Sequence, residues 1–184
     1  MGGLAVVAVL VAVVWSTVRP PPAAPASGRV GQAATTDLSQ LSPQEQAYRL
    51  FDRVMRAHEA GDAEEVSFFG PMAIQAHQLL GELDSDARYH LALLHSVSDT
   101  PGLALIQADS LDLEVPGHLF GAMLRGAIAR MQGDSLRLRE AHAGFLANYD
   151  EEMAVGRGEY QEHATSIEAF LEEARAATNN GVSE

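Results

Sequence analysis

The sequence predicts an all-α protein: one N-terminal transmembrane helix, a Pro-rich tether, then an α-solenoid of about three helix pairs closed by a C-terminal capping helix. Three observations predict it. The first 18 residues are apolar almost throughout, with no charge before Arg19. From residue 42 onward apolar residues recur at three- and four-residue spacing, the period of one helix face. Ser or Asp before several of these stripes and Gly after several supply the chemistry that starts and stops helices. No segment alternates apolar and polar residues as a half-buried strand does.

Residues 1–18 come first. Gly2 to Val18 is 17 residues, which at ~1.5 Å per residue spans about 25 Å, the short end of a bilayer crossing. Peptide groups in lipid must be paired internally, so a lone span of this kind is a helix. The rival reading is a secretory signal peptide cleaved near Ala24-Pro25-Ala26, but no basic residue precedes the apolar run. Ala8, Ala12 and Ser16 recur every four residues, a stripe of small side chains on which another helix can pack closely. Trp15 stands where an interfacial aromatic would. Residues 19–41 begin with Arg19-Pro20-Pro21-Pro22 and continue without periodicity, so they read as a semi-rigid, then flexible tether.

The helical domain, residues 42–177, opens at Ser42-Pro43-Gln44-Glu45, a capping box with Pro at the first helical position. Ala47, Leu50, Phe51, Val54, Met55 and His58 form its apolar stripe, and Gly61 ends it. Asp62 starts the next helix, with Phe68 and Phe69 as apolar anchors; Gly70-Pro71 is expected to bend or restart it before Gly81. Asp84 or Ser85 then caps a helix carrying Tyr89, Ala92, Leu93 and Val97, followed by a turn at Ser98–Gly102 and a shorter helix over Leu103–Leu113. Phe120, Met123, Leu124, Ala127, Ile128 and Met131 make the clearest stripe of all. Its partner after Gly133-Asp134 carries Leu138, Ala141, Phe145, Leu146, Tyr149 and Met153. A last helix turns Tyr160, Ala164, Ile167, Leu171 and Ala174 inward and Glu162, Glu172 and Glu173 outward, and residues 178–184 read as a frayed tail. This gives seven helices after the tether.

Charge narrows the partners. The chain carries a formal −13; residues 1–42 hold Arg19, Arg29 and Asp37, leaving −14 to residues 43–184. A domain so acidic is repelled by nucleic acid and by anionic headgroups. All 12 basic residues are Arg. Arg49, Arg53 and Arg56 form a basic ridge on the first helix of the domain, a candidate contact for a partner, although the domain's own carboxylates compete for them. Cysteine is absent, which excludes disulfide scaffolds, thiolate metal sites and Cys nucleophiles.

A search for catalytic or cofactor chemistry assigns none. The seven histidines (His58, His77, His90, His95, His118, His142 and His163) include no pair at i,i+4, and no His-Glu-x-x-His is present. Asp84-Ser85-Asp86 resembles the start of a calcium loop but lacks its glycine and terminal glutamate. Glu64-Glu65, Glu151-Glu152 and Glu172-Glu173 diverge around their helices and read as solvated faces.

The turns inside the three pairs fall at Gly61-Asp62, Ser98-Asp99 and Gly133-Asp134, with the aspartates 37 and 35 residues apart. Helix–turn–helix units at this period stack into solenoids. At residues 43–155 the chain resembles the tetratricopeptide-repeat family. The third unit matches best, with Gly126 seven residues before Gly133, at the point where two helices of a pair would touch. The resemblance implies a concave surface that binds another protein, with the final helix capping the stack.

Together these features predict a non-catalytic scaffold or assembly subunit without cofactors. Its span packs among integral membrane proteins and lipid, and its repeat face docks a soluble or peripheral domain. By layout it is similar to single-span accessory subunits of energy-transducing membrane complexes, bacterial photosynthetic reaction-centre–antenna complexes among them. The alternative is a stand-alone periplasmic adaptor of the cell envelope or secretion machinery. Arg19 and Arg29 follow the span, which by positive-inside counting favours a cytoplasmic domain. A short anchor followed by a Pro/Ala-rich tether favours a single-pass bacterial inner-membrane protein facing the periplasm, and that orientation is the expectation here.

Overall fold

The computed structural model describes residues 41–181, all of whose regular structure is helical. The anchor and tether readings, with Ala8, Ala12, Trp15 and Ser16, lie outside those residues. Eight helices succeed one another among the described residues: α1 (Pro43–Glu59), α2 (Ala63–Gln78), α3 (Ser85–Val97), α4 (Pro101–Glu114), α5 (Leu119–Gln132), α6 (Ser135–Val155), α7 (Gly158–Glu162) and α8 (Ala164–Gly181). None is long and apolar enough to cross a membrane.

Local chemistry sets the boundaries. At α1 the Ser42 backbone N–H donates to Glu45 Oε2 at 2.8 Å while the Glu45 N–H donates back to Ser42 Oγ at 3.3 Å, the reciprocal capping box. Asp62, Asp84 and Asp134 each accept a backbone N–H three residues on, at 3.0, 2.8 and 3.0 Å, and so satisfy donors that a helix leaves open. Gly133 and Gly156 end α5 and α6 in the left-handed region. In the middle pair that conformation falls to Asp99, at φ 56°. Thr100 then stands as the N-cap of α4. The sequence pattern aligns Asp99 with Asp62 and Asp134, whereas structurally it takes the place of Gly61 and Gly133, a role that Asp fills with less strain than most residues.

Consecutive helices pack most extensively on one another: α1 on α2, α3 on α4 and α5 on α6, with α8 laid against α6. Two apolar clusters result. One gathers Leu111, Leu119, Phe120, Leu124, Ile128, Phe145 and Ile167 from the elements after α3, together with Tyr89 and Ala92 of α3 itself. The other is smaller, with Phe51, Val54, Ala73 and Leu94 at its centre. Leu93 packs against both, so α3 is the shared wall.

Several sequence expectations are corrected. The helix α2 runs unbroken through Gly70-Pro71. Pro71 is exposed, and so is Ser67 one turn before it, so the carbonyl that loses its intrahelical donor there can be met by water. Phe68, expected as an anchor, is 67% exposed. On α1, Ala57 rather than His58 completes the inner face. Met131 and Met153 continue their stripes in sequence but are exposed. The last predicted helix is two, parted at His163; Tyr160 on α7 is buried while Ala164, which opens α8, is exposed. Finally, α8 extends to Gly181, past the tail boundary at 178.

Gly126 does mark a close approach, but mainly to a different helix. A Cβ built there would lie 2.6 Å from two ring carbons of Phe170 on α8, and at an ordinary 3.6 Å from Ala141 Cβ on α6. The final helix therefore seats an aromatic ring in the notch that the missing side chain leaves.

Candidate functional site

The predicted basic ridge is divided. Arg53 donates to Glu65 Oε1 at 2.6 Å and lies over the Phe69 ring, 3.5 Å from its centroid. That cation–π contact and ion pair bind α1 to α2 and occupy Arg53 internally. Arg49 and Arg56 are exposed.

A different surface stands out on α4. Ala104, Ala108 and Leu111 face inward and are fully buried. Leu103, Ile106 and Leu113 share a face on the other side of the same helix and are 46%, 55% and 85% exposed. This helix is therefore apolar on both sides, unlike a surface helix with one polar face. Arg125 on α5, paired with Asp109 at 2.8 Å and Asp112 at 2.6 Å, anchors α4's acidic residues beside that row.

The described residues also hold two buried polar knots. In the first, Tyr160 on α7 donates to Glu152 Oε2 at 2.7 Å and accepts the Leu119 backbone N–H at 2.9 Å. Arg157 donates to both Glu152 oxygens, which holds the Glu152 carboxyl below its usual pKa. His118 Nε2 faces Glu159 Oε1 at 3.3 Å while its Nδ1 accepts the Phe120 N–H. That arrangement specifies the neutral Nε2–H tautomer, and burial lowers the His118 pKa accordingly. Glu152, read from sequence as solvated, is buried, and Glu173, expected on the outer face, bridges Arg130 and His142.

The second knot is the candidate functional site. Asp86, in the first turn of α3, accepts from His163 Nε2 at 2.8 Å across 77 residues of sequence. One turn further along α3, His90 brings Nδ1 to 3.7 Å from Asp86 Oδ2, too far for a hydrogen bond. One ligand-type atom from each of Asp86, His90 and His163 lies within 4.8 Å of the others. Aromatic rings wall this group: His90 stacks on Phe51 with centroids 3.9 Å apart, and Phe120 meets His163 edge-on at 5.2 Å. The seam therefore lies where the two apolar clusters meet, since Phe51 belongs to one and Phe120 to the other.

Electrostatics in the seam come from burial. Burial alone would raise the Asp86 pKa, but the His163 hydrogen bond, with His90 and Tyr48, more than offsets this and holds it low. Burial pushes His90 down to about 4, with Asp86 opposing it, so the ring is neutral at pH 7. His77, whose ring centre is 6.1 Å from that of His90, donates Nδ1–H to the Ala73 carbonyl at 2.9 Å. Its Nε2 and the Nδ1 of His90 are buried without a hydrogen-bond partner among the described residues. Over Asp86 opens a cleft of about 340 Å³ lined by Tyr48, Asp84, Glu159 and Glu162 among others.

Sequence reasoning missed this group by comparing histidines only with histidines. Asp86 and His90 are at i,i+4 and so on one helix face, a spacing legible in the sequence. His163 could not be assigned to them without the fold. No protein-family model matches this chain, and neither a curated protein nor a solved structure matches it.

Proposed function

We propose that this protein is a non-catalytic docking subunit held at a membrane. In this reading residues 1–18 cross the bilayer and residues 19–41 form the tether. The body from residue 42 is a stack of tetratricopeptide-like helix pairs that grips the soluble domain of a partner protein, as an accessory subunit of a larger membrane complex. The observation that carries the reading is the outward row Leu103, Ile106 and Leu113 on a helix whose opposite face is already buried. Apolar side chains grouped in this way mark contact surfaces. Full burial would contribute about 1.5–3 kcal/mol per side chain before the costs of association are set against it. The three short inter-helix turns at similar spacing support the repeat reading, and the −14 on residues 43–184 favours a partner whose rim around that row is basic.

Size-exclusion of the full chain, solubilised from native membranes in mild detergent, tests the proposal. Co-migration with a large integral complex is the expected result, and Ile106→Asp with Leu113→Asp, both at exposed positions, should release the chain from it. A parent chain that runs as a small free particle would refute the subunit role and favour the envelope adaptor. Variants that co-migrate as before would remove the α4 face from the contact.

A further inference from the structure

We infer that Asp86, His90 and His163 form a binding site for a divalent transition-metal ion, with zinc the best chemical match, which clamps α3 to the junction of α7 and α8. The donor set is two imidazoles and one carboxylate, nitrogen-rich and of borderline softness. It suits zinc or cobalt and disfavours magnesium and calcium, which select all-oxygen shells.

The geometry is near what such an ion requires. Ligand atoms about 2.1 Å from a tetrahedral ion stand about 3.4 Å from one another. His163 Nε2 stands 2.8 Å from Asp86 Oδ1 and His90 Nδ1 3.7 Å from Asp86 Oδ2, so each imidazole faces its own oxygen of the carboxylate at a separation near that value. No separation in the trio exceeds 4.8 Å. A second, independent observation is the unpartnered nitrogen. His90 is 7% exposed, and its Nδ1 points at the carboxylate with no hydrogen-bond partner among the described residues. A ring nitrogen left buried without a partner is costly in either tautomer, and in the Nε2–H form a cation at the centre of the trio would take up the Nδ1 lone pair.

Access is provided as well. The cleft above Asp86 carries Asp84, Glu159 and Glu162 at its walls, a concentration of negative charge that draws cations in. Three protein ligands would leave a fourth position for water, and the cleft reaches the trio at Asp86. The ion would sit between the two apolar clusters and tie His163, the break between α7 and α8, to the first turns of α3. The inference stands apart from the docking role, and either can fail without the other.

The test uses the full chain in detergent, stripped of metal with EDTA and then exchanged into metal-free buffer. Calorimetric titration with Zn²⁺ should give one equivalent, and the thermal midpoint should rise with Zn²⁺ concentration as ligand linkage requires. Cobalt loading should give visible absorption bands of a low-coordinate nitrogen–oxygen site. His163→Gln should weaken Zn²⁺ binding by more than the roughly 10–100-fold typical of losing a supporting partner. His58→Gln, at an exposed histidine of α1, should leave it unchanged. Absence of one-equivalent uptake of either metal, or His163→Gln binding within about threefold of the parent, would overturn the assignment. Should His163→Gln fail to fold, X-ray absorption of the zinc-loaded parent decides: two imidazole shells support the site and none overturns it.

Discussion

Gly126→Ala isolates the seating of the final helix. Gly126 is buried on α5, and on helix propensity alone Ala would stabilise by about 0.5–1 kcal/mol. The structure predicts the opposite sign. The new methyl carbon would stand 2.6 Å from two Phe170 ring carbons, well inside ordinary contact at about 3.5–4.0 Å. Phe170 is buried against Phe145 at 4.9 Å and His142 at 5.1 Å between ring centroids, so the ring has little room to retreat. Overpacking of this kind costs about 1–3 kcal/mol; set against the propensity gain, the net is a loss of up to about 2.5 kcal/mol, centred on about 1. Urea unfolding of the full chain in detergent, followed by helical circular dichroism, should show a lower midpoint with an unchanged slope. Adding Phe170→Leu should recover part of the loss, because the two changes share one contact. A Gly126→Ala variant as stable as the parent or more so would refute the assignment of Phe170 to that notch.

Tyr160→Phe removes the hydroxyl that donates to Glu152 and accepts from the Leu119 N–H; unfolding midpoints should report a loss of about 1–3 kcal/mol, because both partners are left buried. Pro71→Ala restores an intrahelical donor in unbroken α2, so stability should rise by about 1 kcal/mol or more, and a fall would mean that Pro71 makes a contact of its own. Stability should also decline as pH falls below about 6.5. His118 has a folded pKa below its unfolded value, mainly through burial, with Glu159 and Glu152 opposing and Arg157 reinforcing the shift. The unfolded chain then takes up the proton first, so the loss begins near the unfolded pKa and grows until the folded pKa is passed. His118→Asn keeps a side-chain acceptor for the Phe120 N–H and should give a shallower decline between pH 6.5 and 5 in the same urea assay; an unchanged slope would show that His118 does not contribute.

Helix starts and stops are the most legible part of the fold, because Ser42, Asp62 and Asp134 act on N–H groups three residues away and Gly133 and Gly156 act on their own turns. Such chemistry is local, and a sequence displays it directly. The errors share a cause: they depend on what another segment supplies. Met131 and Met153 obey the helical period, yet no other segment among the described residues covers them. Glu152 resembles any solvated glutamate until Arg157 and Tyr160 close over it. The break at His163 coincides with its hydrogen bond to a carboxylate 77 residues earlier, and Tyr160 and Ile167 still keep a seven-residue period across it. For the candidate site, half was readable, since Asp86 and His90 differ by four, and half was hidden in the topology.

The two apolar clusters, joined mainly along α3, bear on how the molecule answers a pull. Tension arriving through residue 41 acts first on α1, which is stitched firmly to α2 but only lightly to the later helices. The N-terminal hairpin should therefore peel away at lower force than the helices behind it, and its amides should exchange with solvent sooner. If the chain is leashed at its start, that hairpin is a mechanical fuse, and the stack of Phe51 on His90 of α3 is a joint at which it would give.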